Sequence, residues 1–217
     1  MLLQQELDQL SAGLAQQVPA QVLAAFGRAI QEMKVSGIEQ NSLRVGDSAP
    51  RFSLPAADGK TVTLSGLLAQ GPVVLNFYRG LWCPYCNLEL AALQKSLATI
   101  EGLNATLVAV SPQTPEASAA TASKLGLSFK VLVDQGNKLA REFGLVFTLS
   151  ESLRPIYAAI GIDLPAANGD NSFMLPMPAT YIIARDGTIA YAFVDADYTR
   201  RMEPNDMCAV LERLKSA

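Results

Sequence analysis

The 217-residue sequence contains no histidine, three cysteines and a single tryptophan. Each scarcity removes a class of chemistry. Without histidine there is no imidazole base, no Cys–His dyad and no histidine-bearing metal site. Three cysteines are too few for a disulfide scaffold. A zinc site needs four ligands, and Cys208 is the only thiol besides Cys83 and Cys86, so no metal is expected. No apolar run approaches the ~18 residues that a membrane span requires. The net charge is −3 with no block of like charge, which leaves no basic footprint for nucleic acid. The start, MLLQQELDQL, has neither a basic opening nor an unbroken apolar stretch. No signal peptide is read there, and a cytoplasmic location is expected.

Half of the residues are hydrophobic and 17% are charged, enough to build a substantial core rather than a disordered chain. Leu3, Leu7, Leu10 and Leu14 recur at helical spacing, as do Val22, Leu23, Phe26, Ile30 and Met33. Pro19 opens the second of these helices and Gly37 closes it. Residues 1–40 therefore read as a helical arm and residues 41–217 as the main domain. Two amphipathic helices cannot bury their apolar faces alone, so the arm is compatible with docking on its own chain or with a homodimer.

The main domain opens with VGDSAPRFSLPAADGKTVTLSGL, which predicts a hairpin around Asp58-Gly59. VVLNFY (73–78) is apolar on both faces, the pattern of a buried parallel strand. A helix over 84–99, a strand over 105–111, a helix over 115–125, a strand over 129–134 and a helix over 137–144 follow. Residues 145–178 predict one short helix and a long loop. ATYIIARDGTIAYAFVD gives two strands joined by Arg185-Asp186-Gly187-Thr188, and 204–215 gives a last helix. This order predicts an α/β protein: a central mixed β-sheet flanked by helices.

The candidate chemistry lies in FYRGLWCPYCNLEL (77–90), where Cys83 and Cys86 stand at a strand-to-helix junction. The thiolate is the reactive form of cysteine, and a free thiol has a pKa of about 8.5. With no histidine, the available activators are the amides of a helix N-terminus and a nearby arginine, Arg79. Pro84 suits a first-turn position because it fixes a helical φ and donates no N–H. Two cysteines three apart on a first turn can close a strained, reversible disulfide. Cys208, beside the stripe Met207, Val210, Leu211 and Leu214, reads as a partly buried structural cysteine. Trp82 reads as packing at the edge of the site. Asp195, Asp197, Arg200 and Arg201 read as a solvated, salt-bridged face.

From about Val45 to Val194, the segment VGDSAPRFSLPAADGKTVTL and the strand ending in NFY resemble the alkyl hydroperoxide reductase and thiol-specific antioxidant group of peroxiredoxins, in the branch that carries WCPYC. The resemblance implies a thioredoxin-like fold, to which the helical arm read from periodicity adds an N-terminal helical extension. It also implies a thiol peroxidase that forms a sulfenic acid and then a disulfide, reset by thioredoxin, glutaredoxin or glutathione, without metal or organic cofactor. That family shows Pro-x-x-x-Thr-x-x-Cys, often with a glutamate three residues further on. Cys86 falls at its cysteine and Glu89 at its glutamate, while Cys83 replaces the threonine and Arg79 the proline. Cys83-Pro84-Tyr85-Cys86 is also identical to the glutaredoxin tetrapeptide, in which the first cysteine attacks. The attacking thiol is thus open between Cys83 and Cys86. Pro178, before TYII, resembles the cis-proline that faces the CxxC of thioredoxins. Arg154 is a further arginine within reach from the long loop. A thiol–disulfide oxidoreductase and a redox-inactive interaction module are the alternative functions.

Overall fold

In the computed structural model, which describes residues 2–216, the chain forms one central sheet with helices on both faces. Two helices come first, α1 (Leu3–Gln17) and α2 (Ala20–Val35), followed by a 3-10 turn at Ile38–Asn41. Gly37 takes a left-handed conformation (φ 74°) just past the end of α2, which is where a helix stop needs a residue without Cβ. Strands β1 (Ser53–Pro55) and β2 (Thr61–Thr63) then pair antiparallel across the Asp58-Gly59 turn. A short helix α3 (Leu64–Leu68) is capped by the Thr63 hydroxyl.

The alternating core follows in sequence: β3 (Val73–Phe77), α4 (Pro84–Gly102), β4 (Thr106–Ser111), α5 (Pro115–Leu125), β5 (Lys130–Val133) and α6 (Lys138–Glu142). Next come β6 (Val146–Thr148), α7 (Arg154–Ala159), α8 (Leu164–Asn168) and β7 (Met174–Pro176). The chain ends with β8 (Ala179–Ile183), β9 (Ile189–Val194) and α9 (Pro204–Ser216). The main sheet has the order β5-β4-β3-β8-β9. Its β3, β4 and β5 are parallel, and β8 and β9 antiparallel to their neighbours. This is the mixed sheet that the sequence predicts.

Every residue of β3 is buried, because both faces of the sheet are covered. Strand alternation divides it: Val74 packs with α4, α1 and α9, while Val73, Leu75 and Phe77 pack with α3 and α6 on the opposite face. Asn76 lies on the α4 side and is the polar exception in the strand. The arm docks on its own chain. Leu3 and Leu7 are buried against the α4 layer, and the Ser11 and Tyr85 hydroxyls lie 3.1 Å apart. The Glu203 carboxylate accepts hydrogen bonds from the Leu3 and Gln4 amides at 2.9 and 2.7 Å, satisfying the free N–H groups at the start of α1.

Residues 145–178 differ from the expectation of one helix and a loop. They hold two short helices and the β6–β7 pair, in register Val146↔Pro176. Pro155 in the first turn of α7 and the Asp163 side chain, which caps α8, start these helices. Strands of three residues are too short for period-two alternation to show in sequence. No helix among the described residues is long and apolar enough to cross a membrane.

Candidate functional site

β3 delivers the chain to the carboxyl edge of the sheet, where Tyr78 to Leu81 turn it into α4. Gly80 has φ 152°, and a Cβ there would stand 2.5 Å from Trp82 Nε1. Only glycine fits this position without moving the tryptophan. The turn is pinned on both sides. The Leu81 amide donates to Gln113 Oε1 at 3.1 Å, and Asn87 Nδ2 donates to the Leu81 carbonyl at 2.8 Å.

Cys83 is the N-cap of α4 and Pro84 follows in the first turn. Cys83 Sγ accepts from the Cys86 amide at 3.4 Å and from Arg79 Nη2 at 3.2 Å. Cys86, one turn into the helix, accepts from Arg201 Nη2 at 3.5 Å. Both cysteines are fully buried and neither forms a disulfide.

Two buried arginines thus attend two buried thiols, in different company. Arg79 donates through Nη1 to the Tyr157 hydroxyl at 3.4 Å. Its guanidinium lies 4.1 Å from the Tyr198 ring centre and 5.2 Å from that of Trp82. Arg201 donates from Nε to Glu89 Oε2 at 2.6 Å, and from Nη1 to the carbonyls of Tyr198 and Arg200. Glu89 Oε1 accepts from Asn76 Nδ2 at 2.8 Å, which also donates to Thr180 Oγ1 at 3.0 Å. Asn76 and Thr180 are partners in the β3–β8 register. The polar exception in β3 is there to hold the carboxylate.

Burial alone would push the Cys83 thiol up. The hydrogen bond from the Cys86 thiol and the charges of Arg79 and Arg201 outweigh it, and leave Cys83 well below the ordinary thiol range. Burial pushes the Cys86 thiol up, and its bond to Cys83 and the charge there push it further, beyond what the arginines recover. The surroundings of the pair therefore favour the thiolate on Cys83 over Cys86. Burial raises the Glu89 carboxyl to about 7 against the opposing pull of Arg201. Such an arrangement can supply a nucleophilic sulfur, a second thiol within one helical turn, and cations to bind a polar reactant.

Most residues singled out in the sequence are brought together: Arg79, Trp82, Cys83, Pro84, Cys86 and Glu89 form one cluster. Others are not. Among the described residues no peptide bond is cis, so the bond preceding Pro178 is trans, which corrects the cis expectation. The chain passes there from β7 directly into β8 and has no reversal for a cis bond to make. Ala179 pairs with Phe77, so Pro178 stands one step beyond, at the edge from which the cysteine turn leaves. Arg154 does not join the thiols; it lies 4.3 Å from the Phe173 ring centre, and its Nη1 is 3.9 Å from Glu151. Arg201, read as part of a solvated face, is 5% exposed and inside the site. Its neighbours Tyr198 and Met202 were the available signal, since an apolar pair flanking an arginine is unusual on an open surface. Tyr157 gave no local signal, and Asn76 only that of a polar residue in an apolar strand.

The AhpC/TSA family model matches residues 45–192, more than half of the chain. The chain belongs to the AhpC/TSA family. Among curated relatives, a chloroplastic peroxiredoxin Q of Populus jackii is 35% identical over 100 residues, covering 46% of this chain and 46% of that protein. The chain thus spans about half the length of that relative. A chloroplastic peroxiredoxin Q of Triticum aestivum is 27% identical over 175 residues, covering 81% and 70%. The crystal structure of peroxidoxin BcpB from Mycobacterium tuberculosis superposes with a TM-score of 0.62 at 22% identity, covering 79% of this chain and 97% of that one. It has the same thioredoxin-like fold. Within this AhpC/TSA chain, the matched segment includes both cysteines, Arg79 and Glu89, whereas Arg201 and α9 lie beyond it. The family match alone would therefore not have pointed to the second arginine.

Proposed function

We propose that this AhpC/TSA protein is a thiol-dependent peroxidase that reduces hydrogen peroxide or organic hydroperoxides through the Cys83–Cys86 pair. The observation that carries the reading is the placement of two thiols at a helix N-terminus with a buried arginine on each, 3.2 and 3.5 Å away. One thiolate takes the peroxide oxygen and becomes a sulfenic acid. The neighbouring cysteine displaces that oxygen as water and closes a disulfide. An external thiol such as thioredoxin, glutaredoxin or glutathione returns the pair to the reduced state. The peroxiredoxin names of the curated relatives support the same activity. No metal is needed in this cycle. Residues 41–217 form the redox unit, with residues 1–40 as its arm, and a thiol-rich compartment such as the cytoplasm would keep the pair reduced.

A second reading, thiol–disulfide exchange, is favoured by the CPYC tetrapeptide and by the low-lying Cys83 thiol at the N-cap. Stopped-flow mixing separates the two. The single tryptophan, Trp82, stands beside Arg79 and reports oxidation of the pair by fluorescence. Reduced protein should be oxidised by hydrogen peroxide or cumene hydroperoxide at least a hundredfold faster than a free thiol. A rate no greater than that of a free thiol, with fast reduction of glutathione disulfide or insulin, would replace the peroxidase reading with the second.

A further inference from the structure

We propose that Cys83, and not Cys86 at the family's cysteine position, is the sulfur that attacks the peroxide, with Arg79 as its positioning residue and Cys86 as the resolving thiol. This deepens the peroxidase reading and rests on it. The two sulfurs are chemically close but electrostatically unlike. Cys83 Sγ sits at the N-cap, where the free amides of α4 converge, and already accepts from the Cys86 amide. Arg79, its cation, forms no ion pair with a carboxylate among the described residues. Held among Tyr157, Tyr198 and Trp82, Arg79 has the Cys83 sulfur as its anionic partner. Cys86 lies inside the first turn, and its cation is shared with Glu89, whose Oε2 accepts from Arg201 Nε at 2.6 Å.

Two donors on the residues beside Cys83, Nε of its arginine Arg79 and Nε1 of the adjoining Trp82, are buried with no acceptor. Orphaned buried donors are costly. A peroxide oxygen is an acceptor that would satisfy them and whose negative charge grows during the reaction. On the Cys86 side the arginine is fully used: Arg201 spends Nε on Glu89, Nη1 on two carbonyls and Nη2 on the sulfur.

In the step, a lone pair of the Cys83 thiolate attacks the terminal peroxide oxygen. The S–O bond forms and the O–O bond breaks. The electron pair leaves on the distal oxygen, which takes a proton from solvent and departs as alcohol, or as water from hydrogen peroxide. Cys83 is oxidised to the sulfenic acid and the peroxide is reduced. The Cys86 sulfur then attacks the Cys83 sulfur. The S–S bond forms, the S–O bond breaks, and the hydroxyl leaves as water with the proton that Cys86 carried. The external thiol donor reduces the disulfide and is itself oxidised.

The test uses the full chain, reduced, with one equivalent of hydrogen peroxide and dimedone as sulfenic acid trap, read by peptide mass mapping that separates the three cysteines. Cys86→Ser should carry one adduct, on Cys83, and react within about tenfold of the parent rate. Cys83→Ser should react no faster than a free thiol. Because each substitution disturbs its partner, the unmutated protein is also alkylated with substoichiometric iodoacetamide across pH. Cys83 should label before Cys86, with a midpoint below about 8.5. Arg79→Met should move that midpoint upward and Arg79→Lys should restore part of the shift, a response that mere loss of packing would not give. An adduct on Cys86 in Cys83→Ser at parent rate, with Cys86 labelled first in the parent, overturns the assignment and leaves the peroxidase intact. Slow oxidation of the parent and no adduct in either variant overturns the peroxidase reading, and this one with it.

Discussion

Glu89→Gln separates two opposing views of the buried ion pair. On one view, Glu89 and Arg201 at 2.6 Å, both nearly unexposed, form a bond whose loss costs about 3–5 kcal/mol. On the other, burial costs the carboxylate more than Arg201 returns, and the group titrates at about 7 instead of 4.5. A folded carboxyl that titrates high takes up a proton on folding between those values. Its contribution to stability is then complete below about 4.5 and is lost as pH rises through about 7. The difference of about 2.5, at about 1.36 kcal/mol each, comes to about 3 kcal/mol, most of it falling between pH 5 and pH 8. Gln keeps the shape, an acceptor for Arg201 and the bond from Asn76, without the charge. Near pH 4.5 the variant and parent should be within about 1 kcal/mol of each other. At pH 8 the variant should be the more stable, by about 2–3 kcal/mol. Urea unfolding of the reduced proteins at the two pH values measures this, and taking the difference removes groups that titrate equally in both. A variant several kcal/mol less stable than the parent at both pH values would refute the reasoning. It would mean that Glu89 stays ionised throughout and that Arg201 outweighs burial.

Leu7→Ala should cost about 3 kcal/mol in urea unfolding, because Leu7 is fully buried in the α4 layer; a loss under about 0.5 kcal/mol would mean that the arm is not anchored. Glu203→Gln removes the charge from a carboxylate that caps the Leu3 and Gln4 amides. The α1 amides should exchange about fivefold faster, equivalent to about 1 kcal/mol, with the sheet amides unchanged; equal exchange across α1 would refute the cap. Gly80→Ala should shift the emission of Trp82 and destabilise by about 1–3 kcal/mol, since its backbone is at φ 152° and the new methyl meets the indole nitrogen; unchanged emission and stability would show that the turn relaxes freely.

The parts of the molecule legible in the sequence are those that one stretch of chain decides alone. The β3–α4 junction is written in consecutive residues: an apolar strand, a glycine turn, Cys83 as cap and Pro84 behind it. The helices of the arm and α5 carry their own periodicity and stop signals. What was not legible depends on residues that meet only after folding. Arg201 is 115 residues from Cys86, in a charged run whose local composition favours solvent. Only the packing of α9 and the passage through Tyr198 and Met202 turn it inward. The β6–β7 pair has three residues on each side, too few for any pattern, and the trans bond before Pro178 depends on how β7 runs into β8. Asn76 could be noticed as polar in an apolar strand, but its reason, a carboxylate on the helix above, lies thirteen residues away across the layer.

The same separation gives the arm a structural logic. Besides the Ser11–Tyr85 hydroxyl pair, several of its polar contacts meet residues 196–203, the segment that supplies Tyr198 and Arg201. Glu203 caps α1, Gln4 Nε2 donates to the Thr199 carbonyl at 3.4 Å, and the Ala196 amide donates to Glu39 Oε1 at 2.6 Å. Lys34 adds a charge contact to Asp197 at 3.9 Å, which, being partly exposed, contributes little energy. A segment without regular structure between β9 and α9 would ordinarily be among the first parts of a fold to open. Here it carries a guanidinium that must stay within hydrogen-bond range of both Glu89 and Cys86. Sheet and α4 hold the thiols and the carboxylate; the arm and α9 hold the segment that faces them. A weakened α1 would therefore register first in the position of Arg201, and through it in the balance of charge between Cys86 and Cys83, before any loss of the sheet.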